Sequence, residues 1–232
     1  MTDHTAPSSQ PLPRHVAVIG AAGGLGQGIL SVCRIENIAF TAIVRSRPER
    51  ITDVPDGSRV VVVKSLADST ALTEAFTGTD AVITAMGVTS ASSDSSALLS
   101  ANIATIEASM TTAGVDRLII INTIGASPPG KAANRIIRIF SKMPGVMGKG
   151  ATEQQEVVDA LGSGAFPSLR WTLVRAGVNS HGKDERPVAL AEWDKALISL
   201  KPVSYQAMGR WMLEEAAANE FVRTAPVVSR RR

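Results

Sequence analysis

Six short apolar runs punctuate the chain: H-V-A-V-I at 15–19, F-T-A-I-V at 40–44, R-V-V-V-V at 59–63, D-A-V-I-T-A at 80–85, R-L-I-I-I-N at 117–122 and W-T-L-V-R at 171–175. Within each run apolar residues follow one another instead of alternating with polar ones. That is the pattern of strands buried on both faces of a parallel sheet. Between the runs, apolar positions recur at helical spacing over 24–35, 69–77, 96–113 and 150–163. In the third of these segments Ile103, Ile106 and Met110 form an apolar stripe, and Gly114 stands where a glycine often closes a helix. The alternation predicts an α/β fold, a doubly wound and mostly parallel sheet with helices on both faces.

Two regions break the rhythm. Residues 125–150 form a long excursion after the fifth strand, in which Lys131, Arg135, Arg138 and Lys142 recur at helical spacing. They make either a solvated helix face or a lid over a site. Residues 176–203 look loop-rich and suit small C-terminal elements on the substrate side. A helix over 204–218 and a last strand over 222–228 follow. The expected organisation is a disordered arm over 1–14, one folded domain over 15–228 and a basic tail over 229–232.

Composition narrows the possibilities. With 232 residues, 44% of them hydrophobic, the chain is long enough to bury a sizeable core unaided. The net charge of +3 and an aromatic content of 4% argue against a nucleic-acid partner, which would want a basic surface interleaved with stacking rings. One cysteine, Cys33, excludes an intrachain disulfide. The three histidines, His4, His15 and His181, are scattered, so no metal site is expected. No apolar run approaches the ~18 residues of a membrane span, and the first 14 residues carry no apolar core of a secretory signal. A reducing cytoplasmic compartment and a monomer or homodimer are the expectations.

The glycines carry the chemistry. Gly20-x-x-Gly23-x-x-Gly26 follows the first strand and opens the first helix. The first glycine permits a tight turn and the second lets a pyrophosphate approach the backbone. The third lets helix pack on strand, while the N–H groups of the helix start face the anion. At the end of the second strand an NAD-selective site usually places a carboxylate for the ribose hydroxyls. Here the chain has A-I-V-R-S-R-P-E-R, with Arg45 at that place and Ser46, Arg47 and Arg50 beside it. A guanidinium holds a 2′-phosphate that a carboxylate would repel, so NADP(H) is favoured over NAD(H).

These segments, with L-A-D-S-T-A-L-T-E-A-F-T-G-T-D-A-V-I, N-I-A-T-I-E-A-S-M-T-T-A-G-V-D-R-L-I-I-I-N-T-I-G-A, W-T-L-V-R-A-G and S-Y-Q-A-M-G-R-W-M-L-E-E-A, resemble the atypical short-chain dehydrogenase/reductases. Within them the likeness is to the NAD(P)H-binding group around NmrA and the biliverdin-IXβ/flavin reductases. The resemblance spans about residues 15–228 and implies a Rossmann fold. It also implies that Gly20, Ala22, Gly23, Gly24, Leu25 and Gly26 line the pyrophosphate, that Arg45 meets the 2′-phosphate with Ser46 beside it at the cofactor, and that Leu66 borders the adenine. Ser65 stands where the family often has aspartate. Ala85, Met86 and Gly87 would pass along the nicotinamide ribose, Thr123 would sit under the nicotinamide, and Arg175, Ala176, Gly177 and Val178 would lie beside its far edge.

Tyrosine-dependent members of the wider superfamily use a Tyr-x-x-x-Lys pair after the fifth strand. The one tyrosine here, Tyr205, lies in the late helix with Gly209 four residues on. Two candidate catalytic groups remain. Thr123 either donates to a substrate carbonyl or caps its strand. Lys149 either holds the nicotinamide ribose or is an exposed lysine at a helix start. Glu153 and Glu156 fit as first-turn acids complementing a helix dipole. Met86, Val88, Met143, Met147 and Trp193 either wall a flat ring or belong to the core. The expected function is an NADPH-dependent reductase of a small, flat, conjugated acceptor such as a flavin or quinone. Its rival is a non-catalytic NADP(H)-binding sensor of the NmrA type.

Overall fold

In the computed structural model, residues 12–86, 99–131, 139, 146–192, 196–197, 199 and 201–232 are described, with residues 146–149 as backbone only. Most of the 1–14 arm, Gly87, Val88, Arg135, Arg138, Lys142, Met143 and Trp193, and the side chains of Met147 and Lys149, lie outside that set.

The six expected strands form as β1 (His15–Ile19), β2 (Ala39–Val44), β3 (Arg59–Val62), β4 (Ala81–Thr84), β5 (Arg117–Thr123) and β6 (Arg170–Ala176). The helices are α1 (Gly24–Ile35), α2 (Ser69–Phe76), α3 (Leu99–Thr112), α4 (Val146–Gly162) and α5 (Tyr205–Ala218). The 176–203 region, expected to be loop, contains three short strands, β7 (Val178–Asn179), β8 (Val188–Leu190) and β9 (Val203–Ser204). The last strand, β10, is confined to Val227–Ser229 instead of 222–228, so the basic tail begins inside it. Pieces of two or three residues are too short to show a period, and pairing with distant strands creates them.

The eight-stranded sheet runs β3-β2-β1-β4-β5-β6-β10-β8 and is parallel except where β8 joins β10. A second, two-stranded sheet pairs β7 with β9. Strand order reverses between β1 and β4, the switch point of a doubly wound sheet. Alternate residues of β1 feed opposite cores: Val16 and Val18 pack with α1 and α5, Ala17 and Ile19 with α2, α3 and α4. This two-sided burial is what the continuous apolar runs require. No helix among the described residues is long and apolar enough to cross a membrane.

Two features lock the layers together. Helices α1 and α5 approach along a seam of glycines: a Cβ on Gly28 would lie 2.5 Å from the Tyr205 carbonyl oxygen, and one on Gly209 2.9 Å from the Ile29 backbone. On the same face, Arg117 at the start of β5 is buried against Glu215 of α5, Nη2 to Oε1 2.6 Å, and also donates to Thr172 Oγ1 and the Arg170 carbonyl. Burial pulls the Arg117 pKa down to about 10 and Glu215 opposes the fall, so the guanidinium stays charged at neutral pH.

The acids of α4 act differently from expectation. The helix starts at Val146, so Glu153 lies well inside it and not in its first turn. Buried Glu153 instead accepts from Ser100 N at 3.1 Å and from the Ser100 hydroxyl, answering the start of α3. Exposed Glu156 accepts from the same hydroxyl at 2.8 Å. A neighbouring helix thus supplies acceptors to the first turn of α3.

Candidate functional site

The glycine loop lies at the carboxyl end of β1. Gly20 takes φ +82°, open to glycine at little cost, and its N–H and that of Ala21 donate to the Ile43 carbonyl at 3.0 and 3.3 Å. Gly23 N–H donates to Gly20 O at 3.0 Å, which closes the turn and makes Gly23 the N-cap of α1. A Cβ on Gly26 would stand 2.4 Å from the Gly20 carbonyl oxygen and 2.6 Å from the Ala21 Cα, so α1 enters directly under the loop.

The start of α1 fits an anion. It has no side-chain cap and no acidic residue in its first turn, and Gly23 and Gly24 are exposed. By contrast Asp68 caps α2 through Ala71 N–H, and Ser204 caps α5 through Ala207 N–H. Free N–H groups and the positive end of the helix dipole are what a pyrophosphate needs. Leu25 is buried in the core and Ala22 packs against it, so these two offer only backbone to a ligand. A Cβ on Gly24 would lie 2.5 Å from Tyr205 Cε2, so the ring of the one tyrosine packs beside Gly24.

Beside the loop is a pocket of about 110 Å³, lined by Ile19, Gly20, Ile43, Val44, Arg45, Val63, Leu66 and Met86. Four of these, Gly20, Arg45, Leu66 and Met86, are residues the sequence pointed to; the aliphatic remainder comes from the ends of β1 and β2 and from just past β3. Apolar walls, with exposed Arg45 on the rim, suit the base of a nucleotide. Ser46 is exposed next to Arg45. The Ser65 hydroxyl accepts from Ala67 N–H at 3.1 Å within its own turn. Ala85, buried, closes the other side through its N–H to Ile19 O at 2.8 Å.

The far end of the site lies past β5 and β6, where Thr123 pairs in register with Ala176. The Thr123 hydroxyl accepts from Gly125 N–H at 3.5 Å, and Thr123 N–H is shared by Asn122 Oδ1 at 2.7 Å and Gln154 Oε1 at 3.0 Å. Asn122 Nδ2 in turn donates to the Gln154 main-chain carbonyl at 3.1 Å. Asn122 and Gln154 have no motif around them, and only the fold brings them to Thr123. Arg175 stands next to Ala176 at the end of β6. Its buried guanidinium donates to the carbonyls of Ala225, Ala126 and Ala191, tying three segments, and burial lowers its pKa against the opposing charge of Glu192. Ala176 is buried, while Gly177 and Val178 are half-buried, with Gly177 O accepting from Val203 N–H at 2.9 Å.

The sequence profile of the NAD(P)H-binding family matches residues 20–219. No curated protein matches the chain. Among solved structures, the chain is similar to a wide-type short-chain dehydrogenase/reductase from Veillonella parvula DSM 2008 in complex with NADP, at 16% identity and TM-score 0.66, over 94% of this chain and 95% of that one. It is also similar to ChuY, an anaerobillin reductase from Escherichia coli O157:H7, at 15% identity and TM-score 0.66, over 93% of this chain and 96% of that one. A third is a Rossmann-fold NAD(P)-binding family protein from Shigella flexneri, at 15% identity and TM-score 0.63, over 94% and 93%. At such identities the likeness establishes a Rossmann fold.

Proposed function

The chain belongs to the NAD(P)H-binding family, and from that premise we propose that it is an NADPH-dependent reductase of a flat, conjugated acceptor such as a flavin or quinone. Bound at the glycine loop, the nicotinamide cofactor supplies a hydride; the protein positions the reactants and excludes side reactions. The observation that carries this reading is the equipment at the end of β5. The helix after β5 presents Gln154 to Thr123, and the one tyrosine packs on Gly24 instead. An amide and a threonine hydroxyl hold a carbonyl but do not deliver a proton at neutral pH. Conjugated acceptors tolerate that, since their reduced anions take a proton from water. Ketones and aldehydes, which leave strongly basic alkoxides, do not.

Arg45 on the pocket rim supports NADPH over NADH, because its guanidinium complements a 2′-phosphate and repels nothing there. We read the protein as acting on a free small molecule in the cytoplasm, as a monomer or homodimer. Its single thiol, Cys33, is buried.

The test is NADPH consumption by the pure protein with FMN, riboflavin, a quinone and an azo dye, alongside nucleotide titration on the same sample. Steady oxidation with any of them supports the reductase. Tight NADP(H) binding without turnover would make the chain an NADP(H)-responsive regulatory protein of the NmrA type. Absence of nucleotide binding would overturn both.

A further inference from the structure

Two hydrogen-bond donors stand unspent at the end of β5. The Thr123 N–H, shared between Asn122 Oδ1 at 2.7 Å and Gln154 at 3.0 Å, bonds only to an acceptor, so it favours the Gln154 amide oxygen over its nitrogen on that side. Oε1 is turned to the strand, and Nε2, with two N–H groups, has no hydrogen-bond partner among the described residues. The Thr123 hydroxyl accepts one long bond from Gly125, and its own proton has no acceptor among the described residues either. Both side chains are half-buried, neither sealed in the core nor washed by bulk water. Asn122, itself buried, holds the arrangement from beneath through the Thr123 N–H and the Gln154 carbonyl.

We propose that Gln154 is an acceptor-binding residue: its Nε2–H and the Thr123 Oγ1–H together hold a carbonyl oxygen of the conjugated acceptor. This rests on the reductase reading above and names the group that would set its specificity. Hydride transfer from bound NADPH would break a C–H bond of the dihydronicotinamide, leave NADP⁺ and form a new bond to hydrogen on the acceptor. The electron pair displaced from the acceptor's conjugated system then settles on that carbonyl oxygen. The two donors strengthen their bonds as the charge grows, the kind of stabilisation that favours the transition state over the bound substrate. Neither donor loses its proton; water supplies the one that completes reduction. Asn122 is a positioning residue, acting through Gln154 and Thr123.

Two variants separate this from a structural role. Gln154→Glu keeps an oxygen for the Thr123 N–H and exchanges the free donor for a second, negatively charged acceptor oxygen. Gln154→Leu removes both. In protein saturated with NADP⁺, binding of oxidised FMN and of a quinone is measured by fluorescence quenching, and the carbonyl stretch of the bound quinone by infrared difference spectroscopy. We expect acceptor affinity and kcat/KM to fall about tenfold in both variants, the scale of one lost hydrogen bond. NADP⁺ affinity stays unchanged, and the carbonyl band moves toward its position in an aprotic solvent. Should Gln154→Leu fail to fold, the near-isosteric Gln154→Glu carries the test alone.

A wild-type protein that reduces acceptors, with Gln154→Glu matching it in affinity and band position, overturns this assignment and spares the reductase. Weakened NADP⁺ binding with acceptor binding intact also overturns it, assigning the amide to the cofactor's carboxamide. A wild type that neither binds nor reduces any acceptor overturns both readings together.

Discussion

The two ends of the site are built by opposite means. Around β1, α1 and β2, backbone touches backbone: a methyl on Gly26 would strike the Gly20 carbonyl, and the loop's own N–H groups bond to Ile43 and Gly20. Around β5 and β6, side chains tie distant elements together: Gln154 to the Thr123 N–H, Glu153 to Ser100 at the start of α3, and Arg175 to carbonyls from three segments. One end is shaped by atoms that are missing and the other by bonds that are made. The first tolerates almost no added volume. The second tolerates volume but not the loss of a polar partner.

That contrast can be broken by experiment. The largest effect belongs to the second kind of construction, at Arg117–Glu215. Glu215→Leu leaves a buried guanidinium uncompensated and should lower unfolding free energy by about 3–5 kcal/mol in urea titrations. Arg117→Met combined with Glu215→Leu should recover most of that loss; if it does not, the polar ties contribute more than the burial they offset. Next comes Gly26→Ala, which should cost about 3 kcal/mol, the upper end of overpacking penalties, and also weaken both NADPH and NADH binding. An alanine tolerated there with binding intact would mean that the loop is looser than its contacts imply.

Arg45→Asp should weaken NADPH binding by about 2 kcal/mol, the scale of hydrogen bonds to a charged group, and leave NADH nearly unaffected. Equal losses for both nucleotides would show that Arg45 does not distinguish them. A smaller effect comes from His15, whose pKa burial and Arg59 lower against the pull of Asp80. The unfolded chain therefore takes up a proton first as pH falls below 6.5, and stability should decline from there toward acid. In His15→Gln that part of the slope should vanish. The smallest effect expected is at Cys33, whose thiol burial pushes up to about 12. It should remain unreactive toward a disulfide reagent at pH 8 until the protein is unfolded.

What the chain reveals of itself follows the same division. Gly20, Gly23 and Gly26 stand at a spacing that only close backbone approach explains, and six continuous apolar runs require burial on both faces. These signals are local, and they place the sheet, the loop and the Arg45 rim. Asn122 and Gln154 are ordinary polar residues in unremarkable surroundings; their meaning comes from a strand end meeting a helix, which no spacing encodes. Arg175 shows the same limit, since nothing around it in the chain announces that its guanidinium bonds to the carbonyls of Ala126, Ala191 and Ala225. The start of α4 is misjudged because the 125–150 excursion has no sharp boundary, and Glu153 changes its role with it.

The seam between α1 and α5 has a consequence for how the protein is made. Gly24 and Gly28 meet Tyr205, and Ile29 meets Gly209, across nearly the whole length of the chain. Contacts so remote in sequence are slow to form, and on the ribosome they must wait for the last helix to emerge. Until then the glycine loop has lost the surface that holds its helix in place. Nucleotide should therefore be captured by newly synthesised chains only after α5 has been released, even though the loop itself emerges well before it.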